Sequence, residues 1–141
     1  MTVSFMRLLA EHDAIGRAVD GILATAAGAC RSDEASGRLD ALAAQVIDHI
    51  AHEDDFIYPE LVPPPHVTPS DAAAQFAAEF VALRDDWTRY LDCWTRPRIA
   101  ADWPGFRDAS AAILPRMLDR LRRENQCLYP LALRRGAISL R

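Results

Sequence analysis

The residues best placed to do chemistry lie in Asp48–Leu61, DHIAHEDDFIYPEL. His49 and Glu53 are four residues apart, so on an α-helix they point the same way, one turn from each other. Both fall at inward positions of the apolar pattern, where Leu or Val is expected. A neutral imidazole and a carboxylate on one helix face form half of a metal site in helical bundles. The pattern recurs 71 residues later in Asp119–Ala132, DRLRRENQCLYPLA. Asp48 aligns with Asp119, Glu53 with Glu124, Tyr58-Pro59 with Tyr129-Pro130, and His49 with Arg120. At an offset of 68, Glu11-His12 falls on Glu79-Phe80 and Ile15 on Leu83. The chain therefore reads as two versions of one helical hairpin. The first carries His12, His49 and Glu53; the second carries Glu124, with Phe80 and Arg120 where its histidines would stand.

Four helices must position these side chains. Apolar residues recur at alternating steps of three and four, and strand signals are nearly absent. The first helix is expected from about Ser4 to Ala27, with Leu8, His12, Ile15, Val19, Ile22 and Ala26 inward. The second, capped by Ser32 or Asp33, should reach about Tyr58 with Leu39, Leu42, Val46, His49, Glu53 and Phe56 inward. Pro63, Pro64, Pro65 and Pro69 make residues 62–70 a stiff, non-helical linker that carries His66. Ser70 is the expected cap of a third helix to about Trp94, whose inner stripe is Phe76, Phe80, Leu83, Trp87, Tyr90 and Trp94. Arg96–Pro104 reads as a loop. The fourth helix should run from about Gly105 to Leu128, with Ile113, Met117, Arg120, Glu124 and Cys127 inward and a kink or broken turn at Pro115. Connections this short predict an all-α, up-down-up-down four-helix bundle. The expected organisation is one domain over 1–141: a hairpin over about 4–61, the linker, a second hairpin over about 71–132, and a tail over 133–141.

Composition narrows the function classes. At 141 residues the chain can bury a sizeable core, and a net charge of −4 offers no broad basic footprint for nucleic acid or anionic membrane. No apolar run approaches the roughly 18 residues of a membrane span, and no signal peptide is visible. Cys30, Cys93 and Cys127 are odd in number and far apart, which suggests reduced thiols and a cytoplasmic location. His52 is about 60° off the His49 direction, which makes it a reserve ligand.

The residues Glu11-His12, His49-x-x-x-Glu53 with Tyr58-Pro59, and Glu124 with Tyr129-Pro130 resemble the hemerythrin-like (HHE cation-binding) family. The resemblance implies a four-helix bundle holding a non-heme diiron centre that binds dioxygen, nitric oxide or peroxide, or senses iron or redox state. Carried over by position, His12, His49, Glu53 and Glu124 match the ligand pattern, whereas Phe80 and Arg120 depart from it. Phe80 cannot coordinate, and Arg120 stays protonated, so a standard diiron centre is not expected.

Two readings stand. In one, His12, His49, Glu53 and Glu124 hold a single Fe, Mn or Zn ion and Arg120 supplies the missing positive charge. In the other no metal binds, and Arg120 pairs with Glu124 and, across the core, with Glu53. The corresponding functions are a small-ligand binding or sensing protein, and a metal-free scaffold or regulatory module with a protein partner or a second copy of itself. A mononuclear non-heme metal enzyme ranks third, since no substrate pocket can be read.

Overall fold

A computed structural model describes residues 3–57 and 71–141. Tyr58-Pro59, the proline-rich 62–70 segment with His66, and the Ser70 cap lie outside the described residues. Among the described residues there are helices and no strand; Ser4 and Ser139 form an isolated parallel bridge.

Helix α1 spans Phe5–Ala27 and is capped by Ser4, whose hydroxyl accepts from the Arg7 amide at 3.0 Å. Its buried face is Leu8, His12, Ile15, Val19, Ile22 and Ala26, the stripe expected from the periodicity. Helix α2 spans Ser32–Phe56. The expected Ser32 or Asp33 cap does not form: Arg31 takes the capping position without a side-chain bond, while Asp33 and Glu34 in the first turn complement the helix dipole. At its other end Phe56 is only half-buried, and Ile57 fills the core instead.

Helix α3 spans Asp71–Cys93. Phe76, Trp87, Tyr90 and the following Trp94 are buried, whereas Phe80 and Leu83 are half-exposed. The expected loop at Arg96–Pro104 contains a short helix, α4, over Arg96–Ala101. Pro97 and Pro104 each sit in a first helical turn, where the missing N–H has no partner to lose, so they start helices here rather than interrupt them. Helix α5 spans Trp103–Arg123 and runs unbroken through Pro115. Its cap is Asp102, which accepts from the Gly105 amide at 3.0 Å; a Cβ on Gly105 would overlap that carboxylate.

The fourth long helix does not end at Leu128. It passes through a π turn over Glu124–Leu128 and continues as α6, Tyr129–Arg134. A π turn takes up one extra residue per turn, so the inward face moves from the expected Cys127 to Leu128, Tyr129 and Ala132, and Cys127 is exposed. The wide turn also precedes Pro130, which has no N–H to donate. Beyond α6, Gly136 at φ +72° closes a Schellman motif: its amide bonds Leu133 O and the Ala137 amide bonds Ala132 O. The expected tail is thus anchored. Ala137 and Ile138 are buried, and Ser139 exchanges backbone bonds with Phe5 and Val3.

Helix α1 packs on α2 and α5, and α3 packs on α5, giving the up-down-up-down bundle. Its apolar interior is split in two. The larger cluster is built around Ile15, Leu42, Tyr90, Phe106 and Leu114. The smaller one holds Leu8, Ile57, Phe76, Leu128 and Tyr129 at the other end. His12 on α1, His49 and Glu53 on α2, and Glu124 on the last long helix are buried between those two clusters in sequence on each helix, and Arg120 is buried one turn before Glu124.

Candidate metal centre

Helical periodicity alone brings the polar layer together. His12 follows Leu8 and precedes Ile15 on the α1 stripe, so it cannot avoid the core once that stripe packs. His49 and Glu53 follow Val46 in the same way on α2. Exposure is 4% for His12, 3% for His49, 1% for Glu53, 5% for Arg120 and 0% for Glu124. At that depth each uncompensated ion costs several kcal/mol, so the arrangement of donors and acceptors decides what the layer can hold.

His12, His49, Glu53 and Glu124 each present one ligand atom, and these four atoms lie within 4.8 Å of one another. The two Nε2 atoms are 2.8 Å apart. Glu53 Oε1 is 2.5 Å from His49 Nε2, and Glu124 Oε1 is 3.0 Å from His12 Nε2 and 3.5 Å from His49 Nε2. Donors about 2.1 Å from one ion are about 3.0 Å apart at right angles and about 3.4 Å apart at tetrahedral angles. The 2.8, 3.0 and 3.5 Å spacings are close to those of neighbouring vertices of one coordination shell, whereas the 2.5 Å Glu53–His49 contact is that of a short hydrogen bond.

The outer nitrogens fix how the rings face. His12 Nδ1 donates to Asn125 Oδ1 at 2.7 Å, and His49 Nδ1 donates to Glu11 Oε1 at 2.9 Å. Tethered in this way, each ring turns its Nε2 inward, the arrangement that orients metal-bound histidines. Glu11 also accepts from His52 Nδ1 at 2.8 Å, so His52 belongs to the layer outside His49 and not to the inward set. Glu53 Oε2 and Glu124 Oε1 are buried without a hydrogen-bond partner.

Arg120 occupies the other half of the layer. Its Nε donates to Glu124 Oε2 at 3.2 Å and its Nη1 to the Phe76 carbonyl at 2.8 Å. The guanidinium carbon lies 3.6 Å from the Phe76 ring centre and 4.7 Å from that of Phe80. Glu124 therefore spans the layer, with one oxygen toward the imidazoles and the other on a fixed cation. The pairing with Glu124 one turn away is the one expected from the sequence.

Without a cation at the centre, protons take its place. Burial disfavours charge on His49, but Glu11, Glu124 and Glu53 outweigh it and raise its pKa to about 11. Burial and the Glu124 charge push Glu53 well above the usual carboxylate range. Burial would raise Glu124 too, yet the His12 and His49 rings and the Glu53 carboxyl hold it well below that range. Glu11 is lowered despite partial burial, by His49 and His52.

Three members of the cluster were not singled out from sequence. Glu11 was visible only as the neighbour of His12, and Asn125 only as the neighbour of Glu124. Tyr129 was visible as half of the repeated Tyr-Pro pair. Its hydroxyl lies 2.8 Å from His12 Nε2 and 3.2 Å from His49 Nε2, and its ring stacks on His12. The expected register hid it, because five residues of ordinary α-helix carry Tyr129 about 140° away from Glu124.

Beside the cluster is a cavity of about 40 Å³ between α2, α3 and α5. Ile15, Val46, Trp87 and Met117 form its apolar wall, and His49, Glu53, Arg120 and Glu124 its polar end.

Residues 2–61 match the family model described as the hemerythrin HHE cation-binding domain. That span contains His12, His49 and Glu53. No curated protein and no solved structure matches the chain. Among the described residues no helix is long and apolar enough to cross a membrane.

Proposed function

From the premise that this is a hemerythrin-like chain, we propose that it binds one metal ion through His12, His49, Glu53 and Glu124 and uses it to bind or sense a small ligand. One observation carries the reading. Two imidazoles tethered from outside turn Nε2 onto the same point as two buried carboxylates, each of which keeps an oxygen without a hydrogen-bond partner. Two nitrogens and two carboxylate oxygens suit non-heme Fe, Mn or Zn. A bound ion would supply a Lewis-acidic centre and, for iron or manganese, redox chemistry.

The rest follows from the chain's own side chains. Asn125 and Glu11 hold the ring orientations. Arg120 sits where the second half-site of the hairpin repeat falls and neutralises the outer Glu124 oxygen, which restricts the site to one ion. The apolar cavity beside Glu53 and Arg120 has room for a molecule the size of dioxygen, nitric oxide or peroxide. Calorimetric titration of chelator-treated protein with Fe(II), Mn(II) or Zn(II) tests the proposal. Saturation at about one equivalent, abolished by His49→Ala, supports it; no site-dependent binding of any of the three contradicts it.

The second reading is a metal-free module, and the Arg120–Glu124 pair with the protonated His49 favours it, since together they balance much of the buried charge. It predicts no change in melting temperature when metal is added or chelated.

A further inference from the structure

We infer that Tyr129 is a fifth donor to the bound ion, through its phenolate oxygen. The inference rests on the metal-binding reading above and concerns a residue type outside the two histidines and two glutamates. The phenol oxygen is 2.8 Å from His12 Nε2 and 3.2 Å from His49 Nε2, the spacing those nitrogens keep from each other and from the carboxylates. In coordination terms it stands at one more vertex of the same shell. Tyr129 is fully buried.

The backbone is shaped to place it there. Tyr129 follows Glu124 by five residues, an offset that an α-helix would turn off the Glu124 face and that the π turn over Glu124–Leu128 brings back onto it. The Tyr129 amide bonds the Glu124 carbonyl across that turn, so ligand and phenol are tied by one backbone bond.

Charge gives an independent reason. With both histidines neutral and Arg120 protonated, Glu53, Glu124 and a divalent ion sum to about +1 in a buried layer. An ionised Tyr129 cancels that charge, and no outside anion is needed. The step is a proton exchange: the phenolic O–H bond breaks, the oxygen–metal bond forms, the proton goes to solvent and no oxidation state changes. Two carboxylates and a phenolate are hard donors that also accept ferric iron, for which the same sum is about +1.

A ferric ion bound by a phenolate has a visible charge-transfer band, which is read without any activity. Full-length metal-free protein is loaded with ferric nitrilotriacetate, freed of excess by gel filtration, and assayed for iron and for absorbance. The expected result is about one iron with a visible band in wild type and in Tyr58→Phe, and a colourless Tyr129→Phe that keeps its iron. The Tyr129→Phe substitution removes only the hydroxyl and keeps the ring that stacks on His12, and the circular dichroism of the variant verifies its fold. Bound iron without the band in wild type, or a band that survives in Tyr129→Phe, overturns the inference while leaving the metal reading in place. Failure of iron to bind overturns the inference, and failure of manganese and zinc to bind as well overturns the metal reading with it.

Discussion

Glu11 controls the cluster without entering it. Its carboxylate takes the His49 Nδ1 proton at 2.9 Å and the His52 Nδ1 proton at 2.8 Å, which fixes the orientation of the inward nitrogen. Outer partners of metal-bound histidines are commonly worth about 10–100-fold in affinity. Glu11→Ala should weaken metal binding by that factor in a calorimetric titration and leave the stoichiometry at one; unchanged affinity would remove Glu11 from the account. A pH prediction belongs to His49. Its folded pKa of about 11 lies above the ordinary value of 6.5, so in metal-free protein its charge contributes stability that is complete below about 6.5. That contribution is lost as pH rises through about 11. The melting temperature of metal-free protein should therefore fall over this window more steeply in wild type than in His49→Gln. Metal binding must displace the same proton, so affinity should rise with pH over the window; parallel melting curves would show that His49 is not held protonated. Of these residues, His12, His49, Glu53, Arg120 and Glu124 were legible in the sequence because each breaks an apolar stripe. Glu11 and Asn125 were not, because each lies off its stripe and reaches the cluster only through a side-chain bond.

At the level of the elements, α1 and α2 follow their sequence patterns almost residue by residue, since simple three-and-four spacing decides which face packs. The last long helix departs from its pattern at the π turn. A one-residue shift there exposes Cys127 and delivers Leu128, Tyr129 and Ala132 inward. Periodicity read at 3.6 residues per turn cannot see such an insertion, although the repeated Tyr-Pro marked the place. The Arg96–Ala101 helix was missed because proline reads as a breaker unless its first-turn position is known. Helix α3 is joined to α5 by a buried hydrogen bond between Tyr90 and Ser110, 2.7 Å long. Burial lifts the Tyr90 pKa to about 12, against the lowering effect of Ser110. Removing one partner strands the other, so Ser110→Ala or Tyr90→Phe should each cost about 1–3 kcal/mol in denaturant unfolding. The double variant should cost less than the sum; strict additivity would mean the two groups do not interact.

For the whole molecule, the polar layer is what the two apolar clusters are packed around, and it ties α1, α2 and the last long helix at one level. In the proposed reading the hairpin repeat aligns Arg120 with His49, so that a guanidinium takes the place of a second cation. Arg120→His together with Phe80→His should therefore raise the metal content from one equivalent toward two. An unchanged content would count against the alignment of the hairpins. A ligand that binds only the folded chain also stabilises it, by about 2.7 kcal/mol at 100 times its dissociation constant, so metal-loaded protein should melt higher than chelator-treated protein. The central claim, that the layer is a one-ion site, is tested most directly by elemental analysis of the full chain purified without a histidine tag. The account predicts close to one equivalent of iron, manganese or zinc, lost in His49→Ala; metal below about a tenth of an equivalent, both as purified and after reloading with each of the three ions, would contradict it.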